Sequence, residues 1–188
     1  MGYLEETLIF ESNKIYFTDE AFGGDREVMM DWEDSLMSAS AAYVCEGGGD
    51  ILEIGFGMGI SAGYMHSHSI NSHTIIENHP QIITKAQEWA LGKLNVTIIT
   101  GSWYNVKDNL PTYDGIFYDT FGDQDMDKFS SSLSSLVKEG AKVTWWNNEP
   151  SETNFYNIPN VTYQTLDINP PINSYFNSNK YYLPKKEF

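Results

Sequence analysis

Hydrophobic residues from position 50 onward come in short runs that are separated by longer amphipathic stretches. Five apolar runs predict β-strands, at residues 51–54, 74–77, 96–100, 115–118 and 142–146. The stretches between them predict helices, one beginning near Gly59, one from Pro80 to about Leu91, and one from about Met126 to Lys138 that Gly140 ends. Strands that alternate with helices are typical of an α/β fold with a mostly parallel sheet and helices on both faces.

The two ends of the chain depart from this alternation. Toward the C-terminus, apolar runs at 161–166 and 180–183 predict an antiparallel strand pair that completes a seven-stranded sheet. Toward the N-terminus, runs at 8–10 and 14–17 predict a hairpin, and apolar residues at helical spacing predict a long helix over 26–45. The 188 residues therefore predict one domain, divided into a hairpin or lid over 1–27, a helix over 28–46 and a core over 50–188.

The charge balance of the chain is strongly acidic. It has 26 acidic and 11 basic residues, a net charge of −15, and its only adjacent basic pair is Lys185-Lys186. Because nucleic-acid binding needs clustered Lys and Arg, no nucleic-acid partner is expected. The negative charge would attract a cationic small-molecule substrate, or it simply keeps the protein soluble.

The location of the protein is predicted from three features. No stretch approaches the roughly 18 continuous apolar residues of a membrane span, so no membrane association is expected. Residues 1–11 lack the positively charged start of a secretion signal. The single cysteine, Cys45, favours a reducing compartment. Together they predict a cytoplasmic protein.

A glycine-rich segment, Glu53-Ile54-Gly55-Phe56-Gly57-Met58-Gly59, follows the first core strand and opens a helix. Glycines let the backbone turn sharply and approach a ligand closely. A dinucleotide loop places its third glycine three positions after the second, where this chain has Ile60, which disfavours a nicotinamide cofactor. Glu77 ends the next strand, 22 residues after Gly55, where its two carboxylate oxygens can accept both hydroxyls of a ribose.

Several motifs in the chain are similar to those of one enzyme family. The E-x-G-x-G-x-G pattern resembles the first motif of class I S-adenosylmethionine-dependent methyltransferases. Residues 28–37 resemble the V-M-x-x-W-E-x-x-x-M segment of guanidinoacetate N-methyltransferase and its relative, protein arginine N5-methyltransferase. Further matches follow in the same order at Ile75-Ile76-Glu77, Gly101-Ser102-Trp103, Asp114 to Thr120 and Lys180 to Pro184.

The resemblance implies a Rossmann-like class I methyltransferase fold with S-adenosyl-L-methionine as cofactor and S-adenosyl-L-homocysteine as product. It implies that the helix over 28–46 covers the cofactor and that Glu33 and Asp119 are the catalytic residues that hold a guanidinium. The cofactor-binding residues that it implies are Met29, Met37, Glu53, Gly55, Phe56, Gly57, Met58, Gly59, Ile60, Ser61, Glu77, Asn78, His79, Trp103, Tyr104 and Asp119.

Two carboxylates suit a guanidinium chemically. A guanidinium presents a planar fork of N–H donors that a carboxylate matches with two parallel hydrogen bonds. A carboxylate can also accept the proton that is released when a methyl group is transferred. The resemblance adds Asn148 and Glu149 as substrate-binding residues, since they align with a Leu-Thr pair that contacts guanidinoacetate in the family. Glu149 suits a small carboxylate poorly, which leaves the acceptor open.

The leading hypothesis is an S-adenosylmethionine-dependent N-methyltransferase for a small guanidino or amino compound that resembles guanidinoacetate. The alternatives are methylation of arginine within a protein and a non-catalytic S-adenosylmethionine-binding module. A homodimer is left open. No metal site is predicted, because His66 and His68 are spaced by two on a helix and face apart.

Overall fold

The computed structural model describes residues 2–188, which form a seven-stranded and a three-stranded sheet. In chain order the strands are β1 (Ile9–Phe10), β2 (Lys14–Asp19), β3 (Gly24–Met30), β4 (Asp50–Ile54), β5 (Ser72–Glu77), β6 (Val96–Thr100), β7 (Tyr113–Tyr118), β8 (Val137–Trp145), β9 (Thr162–Asp167) and β10 (Lys180–Glu187). The large sheet has the order β6-β5-β4-β7-β8-β10-β9. Strands β4 to β8 are parallel, and β10 is antiparallel to both β8 and β9.

Helices cover both faces of the large sheet. They are α1 (Asp34–Val44), α2 (Ile60–Ser67), α3 (Pro80–Ala90), α4 (Trp103–Val106) and α5 (Phe129–Ser132). Adjacent residues of β7 show the two faces, since Phe117 packs in one core cluster with α1 while Tyr118 packs in another with Phe129 of α5. The predicted α/β fold, with its mostly parallel seven-stranded sheet and antiparallel C-terminal pair, is confirmed.

The predicted N-terminal boundary of the first long helix is wrong. Residues 24–30 form β3, which pairs with β2, and a 3₁₀ turn over Asp31–Glu33 leads into α1. Val28 and Trp32 are spaced for a helix, but pairing with β2 overrides this local pattern. The segment predicted as one helix over 28–46 therefore consists of the end of β3, a 3₁₀ turn and an 11-residue helix.

The predicted helix over 126–138 is also wrong in length. Only α5 and two 3₁₀ turns form, and β8 begins at Val137, so Gly140 lies inside a strand at φ +77° rather than ending a helix. The segment is rich in serines, which are poor helix formers because their hydroxyls bond to nearby carbonyls. Ser132 Oγ donates to the Lys128 oxygen at 2.9 Å, and Ser135 Oγ donates to the Ser132 oxygen at 2.8 Å.

No helix within residues 2–188 is suited to crossing a membrane. None of the helices there has both the length and the apolar character that a crossing requires.

Candidate active site

A pocket opens where β4, β5 and β7 end, at the carboxyl edge of the sheet where open α/β folds bind ligands. It contains about 660 Å³ of space, including the part that is open to solvent. The structure brings ten predicted residues to its wall: Met29, Glu33, Gly55, Phe56, Gly57, Ser61, Glu77, Asn78, Trp103 and Asp119.

Nine other predicted residues lie off this wall: Met37, Glu53, Met58, Gly59, Ile60, His79, Tyr104, Asn148 and Glu149. Met37 is buried in the core beside Phe117, and His79 caps the start of α3. Asn148 and Glu149 are exposed in the loop after β8. There Asn148 Oδ1 accepts a hydrogen bond from the Trp146 indole at 2.6 Å, and the Glu149 N–H donates to Asn147 Oδ1 at 3.1 Å.

The glycine loop, residues 55–59, is shaped by contacts with neighbouring chain. At Gly55, with φ +93°, a Cβ atom would lie 1.8 Å from the Asp119 carbonyl oxygen. At Gly57, with φ +53°, it would lie 2.5 Å from the Met29 sulfur. Gly55 therefore needs glycine on steric grounds because the close atom is backbone, whereas at Gly57 the positive φ is what favours glycine. The consequence is that Asp119 and Met29 pack directly against the loop that the cofactor is predicted to pass.

Glu53 lies beneath the glycine loop rather than in the pocket. Its carboxylate is fully buried, accepts a hydrogen bond from the Ser61 hydroxyl, and has His73 Nε2 2.9 Å from Oε2. These contacts join β4 to the start of α2 and to β5. Glu53 therefore stabilises the glycine loop, which lies between β4 and α2.

The Glu77 carboxylate accepts hydrogen bonds from three backbone N–H groups. Its Oε2 accepts from the Phe56 N–H at 2.9 Å, and its Oε1 accepts from the N–H groups of Asn78 and His79, each at 2.8 Å. A carboxylate offers roughly four acceptor positions, so about one remains, on Oε2. Glu77 therefore fixes the glycine loop to the end of β5 and keeps room for one further donor, fewer than the two ribose hydroxyls that its sequence position suggested.

Trp103 is fixed by a residue that the sequence patterns did not single out. Asp123 Oδ2 accepts hydrogen bonds from the Trp103 indole at 2.6 Å and from the Tyr118 hydroxyl at 2.5 Å, while its Oδ1 accepts from the Asp125 N–H at 2.8 Å. Asp123 also lines the pocket. The only signal for it in the sequence is the acidic loop after β7, which carries no motif.

The N-terminal segment closes the Glu77 end of the pocket. The Tyr3 ring lines the pocket and lies 4.8 Å from both the His79 and the Phe121 rings. The segment is anchored to α3, because Gln81 accepts from the Leu8 N–H at 2.7 Å and donates to the Leu8 carbonyl at 3.2 Å. Elsewhere in the segment predicted as a hairpin or lid, Phe17 is buried with its ring centroid 6.2 Å from that of Tyr3, and Phe22 is exposed and absent from the pocket wall.

Glu33 and Asp119, the carboxylate pair, both line the pocket but come from different elements of the chain. Glu33 ends the 3₁₀ turn before α1 and is only 3% exposed. Its Oε1 accepts from the Met30 N–H at 2.9 Å and from the Tyr175 hydroxyl at 2.6 Å. Asp119 follows β7 and is partly exposed to the cavity, and its N–H donates to the Ile54 carbonyl at 2.9 Å.

The carboxylate pair has no basic partner in the pocket. Within residues 2–188, no Lys or Arg belongs to the pocket wall. Burial, and next the charge of Asp119, raises the pKa of Glu33 to about 8. Burial, and next the charge of Glu53, raises the pKa of Asp119 to about 7. A bound cation would stabilise the charged form of both groups.

These pKa shifts predict how the stability of the ligand-free domain depends on pH. An acid whose pKa is raised on folding stabilises the fold while it is protonated, and that contribution is lost as pH rises from about 4.5 to about 8 for Glu33. We expect Glu33→Gln to match the parent at pH 5 and to exceed its free energy of unfolding at pH 9 by at least about 1 kcal/mol. Urea unfolding at both pH values measures this, and an equal difference at both would contradict it.

The family of the chain follows from comparison with known proteins. The model of the guanidinoacetate N-methyltransferase family matches residues 19–145, which contain the glycine loop, Glu77, Trp103 and the carboxylate pair. The chain belongs to this family. Its domain is thus a methyltransferase domain, and its cofactor is S-adenosylmethionine.

The chain is also similar to curated proteins that are named arginine methyltransferases. Protein arginine N-methyltransferase 2 of Yarrowia lipolytica is 34% identical over 162 residues, which cover 78% of this chain and 33% of that protein. Its namesake in Kluyveromyces lactis is 31% identical, covering 86% of this chain and 47% of that protein. This chain thus spans less than half of the length of either relative.

Solved structures resemble the fold at low sequence identity. Spermidine synthase from Thermotoga maritima superposes with a TM-score of 0.64 at 11% identity, over 96% of this chain and 72% of that one. A precorrin-6y methyltransferase from Geobacter metallireducens gives a TM-score of 0.60 at 12% identity, over 82% and 87% of the two chains. At such identities the likeness establishes the Rossmann-like fold alone.

Proposed function

We propose that this domain transfers a methyl group to a guanidinium nitrogen, with the arginine side chain of a protein as the leading acceptor. The observation that carries the proposal is the carboxylate pair, which lines the pocket while no Lys or Arg of residues 2–188 does so. The names of the curated relatives support arginine in a protein, and the family model supports a small guanidino compound such as guanidinoacetate as the second candidate.

The pocket residues suit S-adenosylmethionine in their chemistry. Trp103 offers an indole held in place by Asp123, a flat surface of the kind on which adenine packs. Glu77 retains an acceptor position for a ribose hydroxyl. The space beside Gly101 on the pocket wall is open, since a Cβ atom built there would meet nothing within 4 Å. When bound, this cofactor supplies an electrophilic methyl group on a positively charged sulfur.

The carboxylate pair would orient the acceptor and take its proton. A guanidinium nitrogen is a poor nucleophile because its lone pair is delocalised. Glu33 and Asp119 can accept its N–H groups from two sides, which fixes the reacting nitrogen relative to the glycine loop. Formation of the new N–C bond leaves one excess proton on that nitrogen. Asp119, with its pKa near 7, is suited to accept that proton at neutral pH.

The second candidate acceptor is less well supported by the loop after β8. A small guanidino acid needs a partner for its own carboxylate. Asn148 and Glu149, the positions predicted for this role, lie off the pocket wall, and the Glu149 N–H is already bonded to Asn147. Glu149 would also repel a second carboxylate. These features favour an acceptor whose far end is not a carboxylate.

The proposal is tested by methyl transfer from labelled S-adenosylmethionine to a panel of acceptors. The panel contains an arginine peptide, free arginine, agmatine and guanidinoacetate, with a lysine peptide and spermidine as controls that lack a guanidinium. We expect label in the arginine peptide, weaker label in the small guanidines and none in the controls. Binding of the cofactor without label in any guanidine would reject the proposed function.

A further inference from the structure

Tyr175 reaches the carboxylate pair from a distant part of the chain. It lies in the loop between β9 and β10, and its hydroxyl donates to Glu33 Oε1 at 2.6 Å across 142 positions of sequence. No motif marks this residue in the sequence. Its ring stacks on Trp32, with centroids 5.9 Å apart and planes at 28°. The loop thus covers the residue that the proposed function uses to orient the acceptor.

The loop that carries Tyr175 is held in one geometry. Asn173 Oδ1 accepts from the backbone N–H groups of Tyr175 and Phe176, at 3.0 and 2.7 Å. Ser174 donates to Glu27 Oε2 on β3, through its N–H at 3.1 Å and its hydroxyl at 2.5 Å. Side-chain bonds on both sides therefore fix the position of the Tyr175 hydroxyl before any ligand arrives.

The hydrogen bond to Tyr175 determines which oxygen of Glu33 is available. Both hydrogen bonds that the described residues make to this carboxylate end on Oε1, from the Met30 N–H and the Tyr175 hydroxyl. An oxygen of a carboxylate has about two acceptor positions, so Oε1 is filled. Oε2 is left for a ligand. Glu33 can then offer a guanidinium one oxygen rather than a bidentate grip.

Resting on the proposed function, we propose that Tyr175 is a positioning residue for the acceptor site. Its hydroxyl binds Oε1 of the Glu33 side chain, so that Oε2 is left to meet the guanidinium. The remaining N–H groups of the guanidinium are left for Asp119. Tyr175 does not touch the reacting atoms in this arrangement. It acts through Glu33, and it defines how a guanidinium is oriented toward the glycine loop.

Electrostatics around Glu33 explain why this donor matters. The groups that face Glu33 are Asp119 after β7, Tyr175 in the loop and Tyr181 on β10. Burial and the Asp119 charge raise the pKa of Glu33, while the Tyr175 hydroxyl favours its charged form. Burial and the neighbouring carboxylate raise the pKa of Tyr175 far above its usual range, so this phenol remains a donor at all working pH values.

The test compares Tyr175→Phe with Tyr64→Phe. The first removes the hydroxyl and keeps the ring on Trp32. The second removes a matched bond, from the Tyr64 hydroxyl to Asp34 Oδ2 at 2.9 Å, which is exposed and off the pocket wall. At pH 7 we expect Tyr175→Phe to lower kcat/KM for the arginine peptide about tenfold or more, since bonds to charged groups contribute this much. We expect the Kd of S-adenosylmethionine to stay within about twofold.

The pH profile separates positioning from a merely structural role. Loss of the donor should raise the pKa of Glu33, so the acidic limb of kcat/KM should move up by about one pH unit and the loss should shrink at high pH. Tyr64→Phe should leave the profile unchanged. A loss in Tyr175→Phe that is equal at all pH values, or a parallel loss of cofactor affinity, would overturn the proposal, as would parental activity.

A second measurement keeps this proposal separate from the proposed function. The carboxyl carbon of Glu33 can be titrated by ¹³C NMR in the parent and in Tyr175→Phe, each saturated with S-adenosylhomocysteine. A higher Glu33 pKa in the variant supports the positioning role even if the parent methylates no guanidine, a result that would reject only the function. An unchanged titration would overturn the role of Tyr175, whatever the activity of the parent.

Discussion

Asp119→Asn is expected to lower kcat/KM for the guanidinium acceptor by about 1,000-fold while S-adenosylmethionine still binds. The change keeps the shape of the side chain but removes both its charge and its ability to take a proton. General bases contribute roughly 10²–10⁴-fold to rates, and the lost ionic contact with the guanidinium adds to this. Steady-state kinetics with the arginine peptide, together with calorimetric titration of the cofactor, measure the two effects separately.

The control for this variant is Asp127→Asn, which makes the same chemical change on an exposed residue of the 3₁₀ turn Met126–Lys128, beside Lys128. It removes one negative charge from the same segment and should leave kcat/KM within about twofold, as is usual for surface substitutions. Undiminished activity of Asp119→Asn would remove Asp119 from catalysis. A loss of cofactor affinity as large as the loss of kcat/KM would assign it to cofactor binding instead.

The structure favours Asp119 over Glu33 as the proton acceptor. Glu33 lines the pocket but is held by two donors on one oxygen and is only 3% exposed, which suits a group that orients. Asp119 lines the pocket and is more exposed than Glu33, and burial raises its pKa above the usual range of an aspartate.

The core of the fold was predictable because its signals are local. Strands such as β4 and β5 are buried on both faces, so they stand out as apolar runs, and glycines and Pro80 mark the starts of their helices. The boundary at residues 24–33 was not predictable in this way. Spacing of Val28 and Trp32 fits a helix, and only pairing with β2, a tertiary contact, makes the segment a strand.

The pocket shows the same division between local and tertiary information. Glu77 and Asp119 sit at strand ends inside motifs, and their places at the sheet edge follow from parallel topology. Tyr3, Asp123 and Tyr175 have no such motif. Tyr3 and Asp123 line the pocket, whereas Tyr175 bonds to Glu33 at its wall. All three lie in loops or in the N-terminal segment, whose paths depend on hydrogen bonds such as those of Gln81, Trp103 and Glu27. Single-sequence patterns carry no signal for these long-range partners.

Gly55→Ala is expected to destabilise the domain by more than about 3 kcal/mol and to abolish measurable cofactor binding. At φ +93° an L-residue is strained by roughly 1–2 kcal/mol. The new Cβ would also lie 1.8 Å from the Asp119 carbonyl oxygen, an atom of the backbone that cannot rotate away. The loop and the end of β7 must therefore separate, which displaces Asp119 from the glycine loop. Thermal unfolding should show a Tm lowered by roughly 10 °C for a chain of this size.

Gly63→Ala is the matched control for this prediction. Gly63 lies inside α2, just after the same loop, and a Cβ atom built there meets nothing within 4 Å. Alanine is the better helix former, so we expect a gain of about 0.5–1 kcal/mol and unchanged cofactor affinity. If Gly55→Ala instead unfolds like the parent and binds the cofactor, the close approach of Asp119 to the glycine loop is not required. The carboxylate would then have to be positioned by β7 alone.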